Sequence, residues 1–348
     1  MNENKIKTKK HGKKIIFAAA LALAACAFIF CTFRTSAEKQ PLLGGVSDER
    51  TKSFYTFLVC GADKAARNTD VIMLVSVDKT AKSINVLQIP RDTFVHGKRI
   101  DANTTRINGI YAAAYAASPL SGKERERAAM AAFAERLESA LCIEIDGCVL
   151  LDTAAFVKII DAVGGVEYNV PRDMRYEDPV QELSINLKAG KQRLTGAEAE
   201  QLVRYRAGYA MGDIGRVEVR EGFLSAVYAQ VMENISPANA LKIAKELASS
   251  VTTDMSFYDI AFFIKTVYDI GADNLRVKTL SGSSVQNPET GFWIYYALNK
   301  RAALADINEY MNAAETELSY EDFDKGALFT DDPKGKNPYI SEYYYSQE

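Results

Sequence analysis

The chain has 348 residues, 48% of them apolar and 10% aromatic, with 42 Lys+Arg against 45 Asp+Glu for a net charge of -3. That length and apolar share support one large domain or two modest ones, each with a proper core, and exclude a wholly disordered chain. Of the two histidines, His11 sits in a lysine-rich N-terminus, which leaves His96 alone downstream. A zinc site built on two histidines is therefore excluded there, and a Ser-His-Asp triad could use only His96.

The charge is unevenly spread. Residues 1–34 carry seven basic and one acidic side chain, and residues 313–348 carry three basic and nine acidic ones. Lys5, Lys7, Lys9, Lys10, Lys13 and Lys14 precede an apolar run over residues 15–33, interrupted only by Thr32. At about 1.5 Å rise per residue a helix of that length covers roughly 28 Å, close to the hydrocarbon thickness of a bilayer. Lysines on one flank against Arg34 on the other predict a cytoplasmic N-terminus and an extracellular remainder. Residues 1–14 are thus expected to be a cytoplasmic flank, 15–33 a transmembrane signal anchor and 34–52 a linker with Pro41 and Gly44-Gly45. Leu23-Ala24-Ala25-Cys26 resembles a lipoprotein cleavage box and Thr35-Ser36-Ala37 a signal-peptidase site. The apolar run continues past Cys26 and exceeds a typical signal in length, which favours an uncleaved anchor.

Downstream, short apolar runs at 54–60 (FYTFLVC), 71–77 (VIMLVSV), 83–89 (SINVLQI), 148–151 and 166–170 are of strand length and bounded by polar turns. Residues 123–141, 153–163, 198–203, 216–231 and 238–249 read as helices, the second stopped by Gly164-Gly165. Strands alternating with helices predict an α/β fold, a sandwich of helices around a sheet, over residues 53–312. Residues 313–348 are acidic, contain Tyr343-Tyr344-Tyr345 and lack periodicity, and are expected to be disordered. Among Cys60, Cys142 and Cys148 no CxxC occurs. A Cys142–Cys148 bridge and buried free thiols are both open, the second favoured.

Four stretches gather charge where strands end. Asp63 follows one strand and Asp70 opens the next, and two such carboxylates can meet a hard cation such as Mg²⁺. On spacing alone, a turn aspartate and a cap aspartate account for the pair better. Arg91 and Asp92 follow the strand ending at Pro90, with His96 close behind, and Arg106 lies in Arg106-Ile107-Asn108. Arg204 and Arg206 share a face if that segment is extended, and Arg216 and Arg220 share one on a helix. Guanidinium forks suit phosphate oxygens, and several together suit a diphosphate. A solvated charged face, with Arg216 and Arg220 paired to Glu218 or Glu221, is the plainer alternative.

GAD (61–63), TDVIMLVSVD (69–78), IPRDT (89–93), RIN (106–108), DAVGGVEYNVP (161–171), LTGAEA (194–199), RYR (204–206) and GDIGRVEVR (212–220) stand in one order along the chain. Together they resemble the LytR-CpsA-Psr family of membrane-anchored cell-wall glycopolymer ligases. The resemblance implies a three-layer α-β-α sandwich with a central mixed sheet. It implies transfer of a glycopolymer from an undecaprenyl-diphosphate carrier, a polyprenyl-diphosphate-linked donor, to a peptidoglycan acceptor at the membrane lipid surface. By position, Asp63 and Asp70 would hold Mg²⁺ or Mn²⁺, and Arg91, Arg106, Arg204, Arg206, Arg216 and Arg220 would grip the diphosphate. Asp92 would orient an arginine or help deprotonate the acceptor. The chain departs from the family pattern at Gln88, at Glu200-Gln201-Leu202 and at Glu221, and its loop between Asp63 and Asp70 is short. A non-catalytic scaffold for lipid-linked intermediates is the alternative. Transcriptional attenuation fits poorly, because an acidic body outside the cytoplasm meets no nucleic acid.

Overall fold

The computed structural model describes residues 52–62, 68–95, 106–178, 183–205, 249–256, 274–286, 293–311 and 317–324, with scattered positions between 222 and 270. Its centre is a six-stranded sheet whose first three strands are β1 (Phe54–Ala62), β2 (Thr69–Asp78) and β3 (Ser83–Ile89). After them come helices α1 (Asn108–Ala117) and α2 (Gly122–Leu141), strand β4 (Gly147–Asp152) and helix α3 (Thr153–Ala162). Two antiparallel ribbons follow, in which β5 (Val166–Val170) pairs with β8 (Gly190–Leu194) and β6 (Met174–Asp178) with β7 (Leu183–Leu187). Helix α4 (Gly196–Arg204) comes next, and then β9 (Thr252–Thr253), β10 (Leu275–Thr279), β11 (Gly282–Gln286) and β12 (Trp293–Leu298). Helices α5 (Lys300–Tyr310) and α6 (Tyr320–Asp324) complete the described chain.

The central sheet runs β10-β3-β2-β1-β4-β9. Strands β1, β2 and β3 pair antiparallel, while β1 with β4 and β3 with β10 pair parallel, so the sheet is mixed. The alternation of a strand sends neighbouring side chains to opposite faces. Tyr55, Phe57 and Val59 enter one core with Ile159 and Ile160 of α3 and Leu202 of α4. Leu58 and Cys60 enter the other with Phe133 and Leu137 of α2 and Ile307 of α5. Helices therefore cover both faces, giving three layers. Burying a side chain of this size contributes about 1.5–3 kcal/mol, so the apolar strands hold the layers together.

Local chemistry sets the helix ends. Asp152 caps α3 by accepting from the Ala155 N–H at 2.7 Å. Gly164 and Gly165 follow its end at φ +83° and +78°, where L side chains are strained. A Cβ at Gly165 would also come within 2.7 Å of the Leu194 carbonyl oxygen on β8. Thr195 and Glu198 form a capping box that starts α4.

Cys60, Cys142 and Cys148 are free thiols, with Cys60 and Cys148 buried on neighbouring strands and Cys142 ending α2 in the left-handed region. The Cys142–Cys148 bridge is thus not formed. Within the tail expected to lack order, α6 folds and buries Phe323 completely. Positions 222, 223, 226, 227 and 230 are helical, inside the helix expected at 216–231. Among the described residues no helix is long and apolar enough to cross a membrane, and the apolar run at 15–33 lies outside them.

Candidate active site

The site forms where β1 and β3 end and β2 begins. The β1–β2 register shifts between Gly61 and Ala62, so Gly61 pairs with Val71 and Ala62 with Thr69, leaving Asp70 as the extra residue of a bulge. On the next strand, Pro90 follows Ile89 and ends β3, because proline has no N–H to give the ladder. Arg91 and Asp92 occupy a turn closed by Thr93, whose N–H and hydroxyl both donate to the Pro90 carbonyl, at 2.9 and 2.6 Å.

That turn is held from two sides. On one, the Ile107 N–H donates to Thr93 O at 2.8 Å and the Asn108 N–H to Arg91 O at 3.3 Å, so Arg106 enters α1 beside the turn. On the other, β12 lies alongside: the Tyr296 N–H donates to Asp92 O at 2.8 Å, and the Phe94 N–H to Tyr296 O at 2.9 Å.

This framework brings four charged side chains into a row. Arg91 Nη1 donates to Asp70 Oδ1 at 2.7 Å, and Arg91 Nε lies 3.5 Å from Asp92 Oδ2. Arg106 Nη1 reaches Asp92 Oδ1 at 3.3 Å. Burial of Arg91 disfavours its charge, but the carboxylates of Asp70 and Asp92 outweigh that and raise its pKa above the ordinary guanidinium value. The Tyr295 ring, packed edge-on against Phe94, lies under the Arg106 guanidinium with 5.6 Å from Cζ to the ring centroid. Tyr295 was not singled out from sequence, because one tyrosine in a run of aromatics carries no spacing signal.

Arg204 stands differently from the expected extended pair. It is the last residue of α4, one helical turn from Glu200, and Nη1 donates to Glu200 Oε1 at 2.8 Å. Only at Tyr205 does the backbone become extended. Asp63, His96, Arg206, Arg216, Arg220 and Glu221 lie outside the described residues. The structure thus brings Asp70, Arg91, Asp92 and Arg106 together and places Arg204 at a helix end.

A hard divalent cation needs oxygen donors. Asp70 accepts one hydrogen bond from Arg91, and a carboxylate has about four lone-pair sites, so capacity is left on it. Next to it in sequence, Thr69 Oγ1 is buried and has no hydrogen-bond partner among the described residues. Asp63 follows Ala62, the register partner of Thr69, directly in sequence. Asp70 and Thr69 offer oxygen donors of the kind that Mg²⁺ or Mn²⁺ takes. Among the described residues no group of three or more His, Cys, Asp or Glu could hold a metal by itself.

Residues 31–312 match the LytR_cpsA_psr family, most of the chain. The chain belongs to that family. Among its relatives, the cell wall biosynthesis protein LcpA of Corynebacterium glutamicum is 28% identical over 238 residues, 64% of this chain and 45% of LcpA. The polyisoprenyl-teichoic acid–peptidoglycan teichoic acid transferase TagV of Bacillus subtilis is 28% identical over 249 residues, 70% of this chain and 60% of TagV. The matched part of this LytR_cpsA_psr chain therefore spans about half of these two curated relatives. The crystal structure of B. subtilis TagV superposes with a TM-score of 0.54 at 22% identity, covering 80% of this chain and 99% of that one, which shows a shared fold.

Proposed function

We propose that this protein is an extracytoplasmic phosphotransferase that moves a glycopolymer from a polyisoprenyl-diphosphate carrier to peptidoglycan. The observation that carries the reading is the row Asp70–Arg91–Asp92–Arg106, assembled at one end of the sheet by three separate stretches of chain. The transferase activity named for TagV supports the same chemistry.

Phosphoryl transfer requires negative charge to be balanced on the non-bridging oxygens and the nucleophile to be placed in line. Arg91 and Arg106 present permanently charged forks for those oxygens, and Asp92, ion-paired with both, sets their spacing. That use of both its oxygens supports an orienting role for Asp92. Asp70, with Asp63, would hold Mg²⁺ or Mn²⁺, which when bound neutralises charge on the diphosphate. Arg204, with Arg206, Arg216 and Arg220, would complete the grip. In the transfer, an acceptor hydroxyl oxygen bonds to the glycopolymer-linked phosphorus as the bond to polyisoprenyl phosphate breaks. Polyisoprenyl phosphate departs, and the hydroxyl proton is released to the medium. A substrate confined to the bilayer surface accounts for the lysine flank and the apolar run at 15–33, which would tether the enzyme there.

The test uses the full chain in detergent micelles with a polyisoprenyl-diphosphate-linked glycopolymer, peptidoglycan and Mg²⁺. Conjugate and polyisoprenyl phosphate should form together and stop on chelation. Binding of the donor with no transfer would leave the chain a scaffold for lipid-linked intermediates, and neither binding nor transfer would remove the reading altogether.

A further inference from the structure

We infer that Thr69 belongs to the cation's oxygen set: its hydroxyl accepts a hydrogen bond from a water that the ion keeps beside Asp70. The inference rests on the cation reading above and adds a residue to it.

Two independent arguments place the Thr69 and Asp70 side chains on one face. Ala62 packs against the core that contains Leu58 and Cys60, and Thr69 is its register partner, so the two share that side of the sheet. Asp70 lies two residues before Ile72, a member of the same core, and alternation along the strand gives it the same side. In a regular strand, consecutive residues would point to opposite faces. The bulge, in which two residues oppose one, puts both on that side, where Asp70 meets Arg91 at the end of β3.

The state of the hydroxyl supplies the second observation. Thr69 has 0% exposure, and among the described residues Oγ1 has no hydrogen-bond partner. Buried polar atoms are nearly always paired, so an orphan calls for a water or an ion. Another buried hydroxyl of the same strand shows the contrast: Ser76 donates to Tyr310 O at 2.6 Å and accepts from Asn85 at 3.0 Å. Magnesium and manganese retain waters when few carboxylates bind them, and those waters need acceptors. Groups that hold such waters typically change metal affinity by about ten-fold or more when removed.

The experiment titrates Mn²⁺ into the full chain in detergent micelles, following free Mn²⁺ by electron paramagnetic resonance. Wild type, Thr69→Val, Thr69→Ser and Asp70→Asn are compared, and each is melted in chelator. Thr69→Val should weaken Mn²⁺ about ten-fold, Thr69→Ser should stay near wild type, and Asp70→Asn should lose most binding. In chelator, Thr69→Val should melt at or above the wild-type temperature, since it replaces an orphaned hydroxyl by a methyl of the same shape. Unchanged Mn²⁺ affinity in Thr69→Val, with binding lost in Asp70→Asn, overturns the role of Thr69 alone. No Mn²⁺ binding by wild type overturns the cation reading and this inference together. A Thr69→Val protein that melts well below wild type in chelator also overturns it, because the hydroxyl would then have a partner within the fold.

Discussion

Arg91 and Asp70 meet at 2.7 Å across the gap between the end of β3 and the start of β2. Each is about one-third exposed, so neither is locked away, and a diphosphate could replace or extend the pair. Arg91 also touches Asp92, which in turn touches Arg106, so the row is continuous from Asp70 to Arg106.

Arg91→Ala should lower glycopolymer transfer by about 10²–10³-fold, the usual cost of removing a donor aimed at developing charge. Arg91→Lys should recover little of it. A lysine is a point charge and cannot present one fork edge to Asp70 and the other to Asp92. The rate of conjugate formation by purified variants checks both, with circular dichroism to confirm that the fold persists.

Glu200→Leu should tighten binding of inorganic pyrophosphate by up to about five-fold at low salt, by removing the carboxylate that now occupies Arg204 Nη1. The gain should shrink at high salt, where exposed charges are screened. Calorimetric titration at two salt concentrations measures it, and equal affinity at low salt would detach Arg204 from the anion site.

Gly196→Ala should destabilise the protein by about 1–3 kcal/mol, as overpacking in a tight interior typically does. A Cβ there would run into the Val157 carbonyl where α4 starts against α3. Urea midpoints with unchanged slope would show a pure stability loss. Because α4 carries Arg204, activity should fall with it.

Stability should decline as pH rises from about 9 toward 12. Burial pushes the Cys148 thiol from 9.0 up to about 12, and burial likewise pushes the Tyr296 hydroxyl from 10.0 up to about 12. Below the unfolded-state values both states keep these protons, so the full stability is present. Above them the unfolded chain gains by ionising while the folded one does not until its own higher values are reached. Buried Cys60 has the same sign. Denaturant midpoints across that range give the slope, and a flat profile would contradict it.

The strands were legible because their signal is local. Residues 83–89 and 166–170 read from apolar runs between turns coincide with β3 and β5. The helix read at 123–141 differs from α2 by one residue. Helix α1 was missed: its sequence NGIYAAAYAA has no charged residue and no polar face to set a 3.6-residue period. The ribbon strands at 174–178 and 190–194 were also missed: Met174 and Leu194 are their only buried side chains, so charged residues dominate RYED and KQRL. Among the site residues, Asp70, Arg91, Asp92 and Arg106 were singled out by position next to strand ends. The pairing of Arg204 with Glu200 was not, because it depends on the helix running to Arg204. Thr69 escaped as well: only the register shift at Ala62 shows that it shares a side with Asp70.

The backbone ladder between Asp92 and Tyr296 joins positions about 200 residues apart. Such a closure is slow and comes late, since its loop entropy must be met before the contact rewards it. The arginine turn can take its final form only after the C-terminal strands have arrived. Until residue 296 has been made and folded back, the turn that carries Arg91 and Asp92 lacks its β12 support, so the proposed phosphate grip is assembled late.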